Sequence, residues 1–170
     1  LQVLAWDCVN KRVRYAGFPP HGWIWWRRTM LVDEETGKFW SVCVQPVEDR
    51  FTEDDVRFMS FDPSLNRFER YDIGPPVNPL TGKSGVTRGY TSRPAMDGWF
   101  YMSCLNWETG KGSLFKFKPR GPGGKPAVEA LGATWGEGVD VQQMALDPSG
   151  RYVYYYAGPV VQYDVKTGKK

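Results

Sequence analysis

Short stretches in which apolar and polar residues alternate recur along this chain, and they are bounded by Gly, Pro, Asp and Ser. Period-two runs predict strands with one buried face, and the punctuation predicts tight turns between them. Three of the runs follow a glycine: Gly37 opens GKFWSVC, Gly98 opens GWFYMSC and Gly150 opens GRYVYYY. Phe39, Phe100 and Tyr152 stand two positions after their glycine, and Cys43, Cys104 and Tyr156 stand six after it. Even spacing puts both members of each pair on one face of a strand, and the alignment predicts an equivalent face in all three units. Ahead of each glycine another apolar run ends in aspartate, in TMLVD, RPAMD and QMALD. Each unit therefore reads as a strand, a turn and a second strand.

A second kind of hairpin recurs between these, in VLAWDCVNKRVRYAG, FMSFDPSLNRFERYD and VVQYDVKTGKK, with an aromatic residue followed by aspartate at its centre. SLFKFKPRGPGGKPAVEALG fills the matching slot in the remaining unit. The repeat is thus four antiparallel strands, a to d, in about fifty residues. No helical period extends to a useful length, and VEDRFTEDDVRF reads as a loop between strands b and c. Four-stranded repeats of this size are blades of a β-propeller. The predicted fold is all-β: residues 1–20 end one blade, 22–74 and 86–134 form two more, and 141–170 form an incomplete one. Thirteen strands that begin and end within blades cannot close a ring. The expectation is a partial propeller, incomplete at both ends, that forms part of a larger one whose remaining blades are its first partners; closure by pairing with another chain is the alternative.

Composition fits that picture. Aromatics reach 15%, with 19 Gly and 13 Pro, as expected of many short strands joined by turns. The net charge of +3 is spread along the chain, not clustered as a nucleic-acid site requires, so no nucleic-acid partner is expected. No apolar run has the length of a membrane span. The cysteines Cys8, Cys43 and Cys104 lie far apart, no CxxC occurs, and His21 is the sole histidine, so no zinc site is assigned and the thiols are expected to be buried and inert.

The closing stretch resembles the repeat of the YVTN-type β-propellers. Asp147, Pro148 and Gly150 stand where that repeat has its turn, Tyr152-Val153-Tyr154 where it has its strand, and Asp164 and Thr167-Gly168-Lys169 at its end. Tyr155-Tyr156 departs from the pattern, and the other blades share only its rhythm. The resemblance covers residues 147–169 and implies a propeller. Similar repeats occur in surface-layer and other extracytoplasmic proteins, in lactonases and in quinone- or haem-carrying dehydrogenases. An extracytoplasmic location is therefore implied, but no single activity.

In a propeller, strand a lines the central channel, and residues entering it are the first to inspect. In the first full blade these are His21, Trp23, Trp25 and Arg27. His21 suits a general base, although a histidine in a Pro-Pro-His-Gly loop is more often solvated. The tryptophans suit stacking on sugar rings, although packing between blades is their commoner use. In the next blade the candidates are Arg88, Tyr90 and Arg93, because a guanidinium fork recognises carboxylate or phosphate. In the last they are Trp135, Glu137, Asp140, Gln142 and Gln143. Glu137 and Asp140 form a carboxylate pair suited to acid–base work or to a divalent cation such as calcium. Asp33, Asp97 and Asp147, like Asp7, Asp62 and Asp164, recur with the repeat, which points to turn capping and excludes them from a site.

Two functions follow. The first is a scaffold binding a small molecule, a glycan or a protein, with Arg88, Arg93, Trp135 and Gln142 as ligand contacts. The second is a propeller enzyme of lactonase, lyase or glycan-cleaving type, with His21, Glu137 and Asp140 as its catalytic groups. A haem-bearing dehydrogenase ranks last, for want of a CxxCH.

Overall fold

The computed structural model describes all residues except 1–2, 21, 26–28, 45, 48–49, 52–55, 77–84 and 107–108. Among the described residues the regular elements are all strands, joined by turns and loops, apart from one 3-10 turn at Pro122–Gly124. It opens with a hairpin of β1 (Val3–Asp7) and β2 (Arg12–Gly17). A first large sheet follows, built from β3 (Ile24–Trp25), β4 (Leu31–Asp33), β5 (Lys38–Val44), β8 (Arg57–Asp62) and β9 (Arg67–Arg70). Both β3 and β4 pair antiparallel with β5, so one inner strand is split in two. Within the segment read as a loop, β6 (Pro46–Val47) and β7 (Arg50–Phe51) make a small separate ladder.

The second sheet runs β10 (Val86–Tyr90), β11 (Phe100–Leu105), β12 (Gly112–Lys118), β13 (Ala127–Ala133), each antiparallel to the next. The RPAMD stretch is not the regular strand its pattern predicts. Between Thr87 and Tyr90 the pairing with β11 shifts register, and beyond Tyr90 two bonds continue it, Thr91 N–H to Tyr101 O at 2.9 Å and Ala95 N–H to Trp99 O at 2.8 Å. Pro94 lacks an amide proton to donate, which is why the ladder breaks there. The third sheet is β14 (Met144–Leu146), β15 (Tyr152–Tyr156), β16 (Val160–Asp164).

Alternation along the strands builds the core between sheets. Trp40, Val42 and Val44 on β5 and Phe58 on β8 meet Phe100, Met102 and Cys104 on β11 and Phe115 and Phe117 on β12. Phe58 lies flat on Phe117 at 4.0 Å, and Trp40 stacks on Tyr71 at 4.9 Å. The opposite face of the second sheet, through Tyr101 and Leu114, packs on Val153, Tyr155, Val161 and Tyr163 of the third. The first sheet turns Cys43, Met59 and Phe61 to its other side, and Gly17 at the end of the hairpin lies against Phe61 and Phe68. Sheets stacked face to face in chain order, joined through their inner strands, are the blades of a partial β-propeller.

The third sheet corrects the glycine alignment. In the first sheet the residue opposite the last apolar position of the preceding strand is Phe39, two after Gly37; in the third it is Val153, three after Gly150. Both turns leave four residues between paired positions, Asp33 with Lys38 and Asp147 with Tyr152, but Gly37 is the fourth of them and Gly150 the third, so the glycine alignment is out by one residue in the third sheet and the faces reverse. Tyr156 is consequently 69% exposed, whereas Cys43 and Cys104 are buried. The cysteine expectation also fails at one position, because Cys8 on the β1–β2 turn is exposed.

The recurrent aspartates cap turns. Asp7 Oδ1 accepts the amides of Val9 and Asn10, Asp62 Oδ1 those of Ser64 and Leu65, and Asp147 those of Ser149 and Tyr152. Asp164 adds a bidentate pair with Arg151, whose Nη2 lies 2.8 Å from Oδ2, and accepts the Lys166 amide at 2.9 Å. The Arg151 hydrogen bond is the main cause that holds the Asp164 carboxyl down to about 2.

Two outcomes follow for stability. Phe117→Ala removes a ring stacked between two sheets, and denaturant unfolding is expected to show a loss of about 3–5 kcal/mol. The depressed Asp164 carboxyl contributes stability above its unfolded value of about 4, and that contribution disappears as pH falls through about 2. Asp164→Asn should be less stable near neutrality and should flatten the fall in unfolding midpoint over that acid range. An unchanged pH profile would refute the assignment.

Candidate functional site

The innermost strands of neighbouring sheets meet where Gly89 of β10 faces the backbone of 141–143. A Cβ at Gly89 would stand 2.9 Å from Val141 O and 3.1 Å from Gln143 N, so only glycine allows this approach. Ser103 of β11 locks the contact: its buried hydroxyl accepts the Gly89 amide at 2.8 Å and donates to Val141 O at 2.6 Å. The first and second sheets are joined similarly, by the buried hydroxyls of Thr29 and Thr87, 2.5 Å apart.

This junction sets Arg88 against the segment that enters the third sheet. Its Nε lies 3.1 Å from Asp140 Oδ1 and its Nη2 2.8 Å from Oδ2, a bidentate pair whose side chains are 12% and 25% exposed. Gln142 Nε2 donates to the same Oδ2 at 3.1 Å. The carboxylate hydrogen bond strengthens the hold of Arg88 on its proton. Beside the pair lies a pocket of about 510 Å³ lined by Arg88, Tyr90, Ser92, Gln142, Gln143 and Met144. Pockets of this size suit small molecules when polar groups converge on an apolar wall. Here Tyr90 and Met144 supply the wall. The side chains of Tyr90, Ser92 and Gln143 have no hydrogen-bond partner among the described residues.

The other candidates are dispersed. Arg93 Nη2 donates to the carbonyls of Asp147 and Pro148 at 2.8 and 3.0 Å, which ties the second sheet to a turn of the third. Glu137 pairs with Lys111 at 3.0 Å, a contact that lowers its carboxyl below the usual range, and it does not join Asp140 in a carboxylate pair. Trp135 is 42% exposed on the turn after β13, outside the pocket lining. Trp23 packs beside Met59 and Phe61 with the Arg70 guanidinium 4.7 Å over its ring, so its place is between blades. His21 and Arg27 lie outside the described residues, as does the side chain of Trp25. Among the described residues no group of three or more His, Cys, Asp or Glu could hold a metal ion, and no helix is long and apolar enough to cross a membrane. Sequence inspection missed Ser92, Ser103 and Met144. Gly89, a glycine inside a strand pattern, was the available signal that two backbones meet there.

No protein-family model matches the chain, and no curated protein does. Among solved structures, it is similar to the GH74 xyloglucanase from Xanthomonas campestris, at 14% identity and a TM-score of 0.54. That likeness covers 91% of this chain and 22% of the other, so the chain spans less than a quarter of its structural neighbour's length. The neighbour is a β-propeller, and together with the stacked antiparallel sheets it shows the fold class: all-β, a partial propeller.

The close approach at Gly89 is testable by itself. Gly89→Ala forces backbone apart on both sides, and a loss of about 1–3 kcal/mol is expected in thermal or denaturant unfolding. A variant as stable as the parent would show that the two backbones do not meet as described.

Proposed function

We propose that this protein is a propeller scaffold that binds a neutral, hydroxyl-rich small molecule, of the saccharide class, in the pocket between β10 and the segment 142–144. The observation that carries the proposal is the Arg88–Asp140 pair. Among the described residues of the lining Arg88 is the one that carries a charge, and a bidentate carboxylate cancels it. What remains for a ligand is the hydroxyls of Tyr90 and Ser92 and the amides of Gln142 and Gln143, with the Tyr90 ring as an apolar wall. Uncharged donors and acceptors beside an aromatic ring match the hydroxyls and C–H faces of a sugar. The xyloglucanase name of the structural neighbour belongs to that protein, and its fold alone bears on this chain.

An enzyme would need an acid–base pair at this position. Asp140 is occupied by Arg88 and Gln142, and Glu137 is held ionised by Lys111 elsewhere. The two carboxylates thus stand apart, each with its own cationic partner, which favours the scaffold over the lactonase, lyase or glycan-cleaving alternative. The YVTN-type assignment of residues 147–169 stays part of the proposal, supported by the Asp147 cap and the left-handed Gly150 at φ 76°. So does a further blade over the far face of the third sheet, where Tyr156 and Val160 are 69% and 74% exposed.

The test uses cellobiose and glucuronate as probes, read by amide chemical shifts. Cellobiose should perturb Arg88–Tyr90 and Gln142–Met144 in the parent chain more strongly than glucuronate does. Asp140→Asn uncovers the guanidinium and should reverse that order. Perturbations absent for both probes, or an order unchanged by the substitution, would overturn the proposal.

A further inference from the structure

At a different edge of the molecule the first and second sheets leave a groove of about 550 Å³. One wall is the β4–β5 turn, with Asp33, Glu34 and Glu35; the other holds Lys118, Pro119 and Arg120 at the end of β12, beside Gly98. Val32 and Pro94 give the groove apolar surface, with the buried Phe100 and Pro119 behind them. Its walls thus carry opposite charge. Arg120 spans them, with Nε 3.4 Å from Asp33 Oδ2 and Nη2 on Glu35 Oε2, and so bridges one end. Two charges remain uncommitted. Glu34 is exposed, and neither Glu34 nor Lys118 has an ion pair or hydrogen bond among the described residues. Lys118 is half-buried, with its ammonium 5.8 Å from the Trp99 ring centroid and in the space that a side chain at position 98 would fill, so it lies along the groove wall over Gly98.

We propose that this groove is a second binding site, separate from the inner pocket, for a zwitterionic ligand with an apolar body: a free amino acid of the leucine type. Its ammonium pairs with Glu34, its carboxylate with Lys118, and its side chain lies on Val32 and Pro94. The bridge made by Arg120 closes one end and selects a short ligand over an extended chain. A ligand bearing one charge satisfies one wall and leaves the other uncompensated. Both ion pairs are partly open to solvent, so each contributes modestly and binding weakens as salt rises.

The experiment titrates the full chain with leucine, isocaproate and isoamylamine, which share an apolar body and differ in charge, and follows the amides of residues 33–37, 98 and 118–120. Leucine is expected to shift these amides at lower concentration than either analogue, in the millimolar range. Glu34→Gln should weaken leucine and isoamylamine by about threefold and leave isocaproate unchanged; Lys118→Met should weaken leucine and isocaproate by a similar factor. Lys118→Arg should restore carboxylate binding, which separates lost charge from disturbed packing. Melting curves that match the parent's establish that each variant is folded. A groove silent to leucine, an affinity for leucine no greater than for both analogues, or substitutions without effect would overturn the proposal.

Discussion

Burial of one sheet face against the next is the constraint on which the rest of this structure depends. A sheet of three or four strands has two faces, and the second sheet must cover both: Phe100, Met102 and Phe117 look toward the first sheet, Tyr101 and Leu114 toward the third. Successive residues of β11 and β12 therefore serve different neighbours. That is why apolar residues run almost without interruption through FYMSC and LFKF, unlike the clean alternation of a one-sided sheet. Stacked rings concentrate the contact. Phe58 and Trp40 both meet Phe117 and so join the first sheet to the second, while Trp40 also stacks on Tyr71 within its own sheet.

The same stacking decides what happens at the inner edge. Once two sheets are pressed together, their first strands converge, and each junction must satisfy polar backbone without water. Hydroxyls do this at both junctions, Thr29 with Thr87 and Ser103 between Gly89 and Val141. At the second junction the missing Cβ of Gly89 brings the backbones close enough to place Arg88 and Asp140 in bidentate contact. The candidate pocket is therefore a consequence of blade packing. Its polar lining comes from residues on either side of one glycine and from the loop that faces it.

Repeats were legible because turn chemistry is local. Aspartate caps and left-handed glycines need only their immediate neighbours, and Gly37, Gly98 and Gly150 all have positive φ. Register was not legible, because it depends on where in the turn the glycine falls. Asp-Glu-Glu-Thr-Gly and Asp-Pro-Ser-Gly look alike as turn signals, yet the glycine comes one residue earlier in the latter, so aligning the glycines misplaces β15 by one residue, and Tyr152 and Tyr156 turn away from the face that Phe100 and Cys104 occupy. The site was partly legible for a related reason. Arg88, Asp140 and Gln142 could be picked as residues entering inner strands. That Arg93 would be spent on two carbonyls and Glu137 on Lys111 depends on loops from other blades, which no local pattern reports.

Charge pairing distinguishes the two cavities more than size does, since they differ by only a few tens of cubic ångströms, about 510 against about 550 Å³. In the inner pocket the guanidinium meets its carboxylate through two parallel bonds at a partly buried position, where the pair is costly to separate. A ligand entering there meets dipoles, not net charge. In the groove between the first and second sheets Arg120 is nearly half exposed and its contact to Glu35 faces water, while Glu34 and Lys118 have no ion pair among the described residues. Exposed ions exchange partners at little cost. A charged ligand can therefore compete on those walls, whereas in the inner pocket it would have to break a pair that the fold itself aligns.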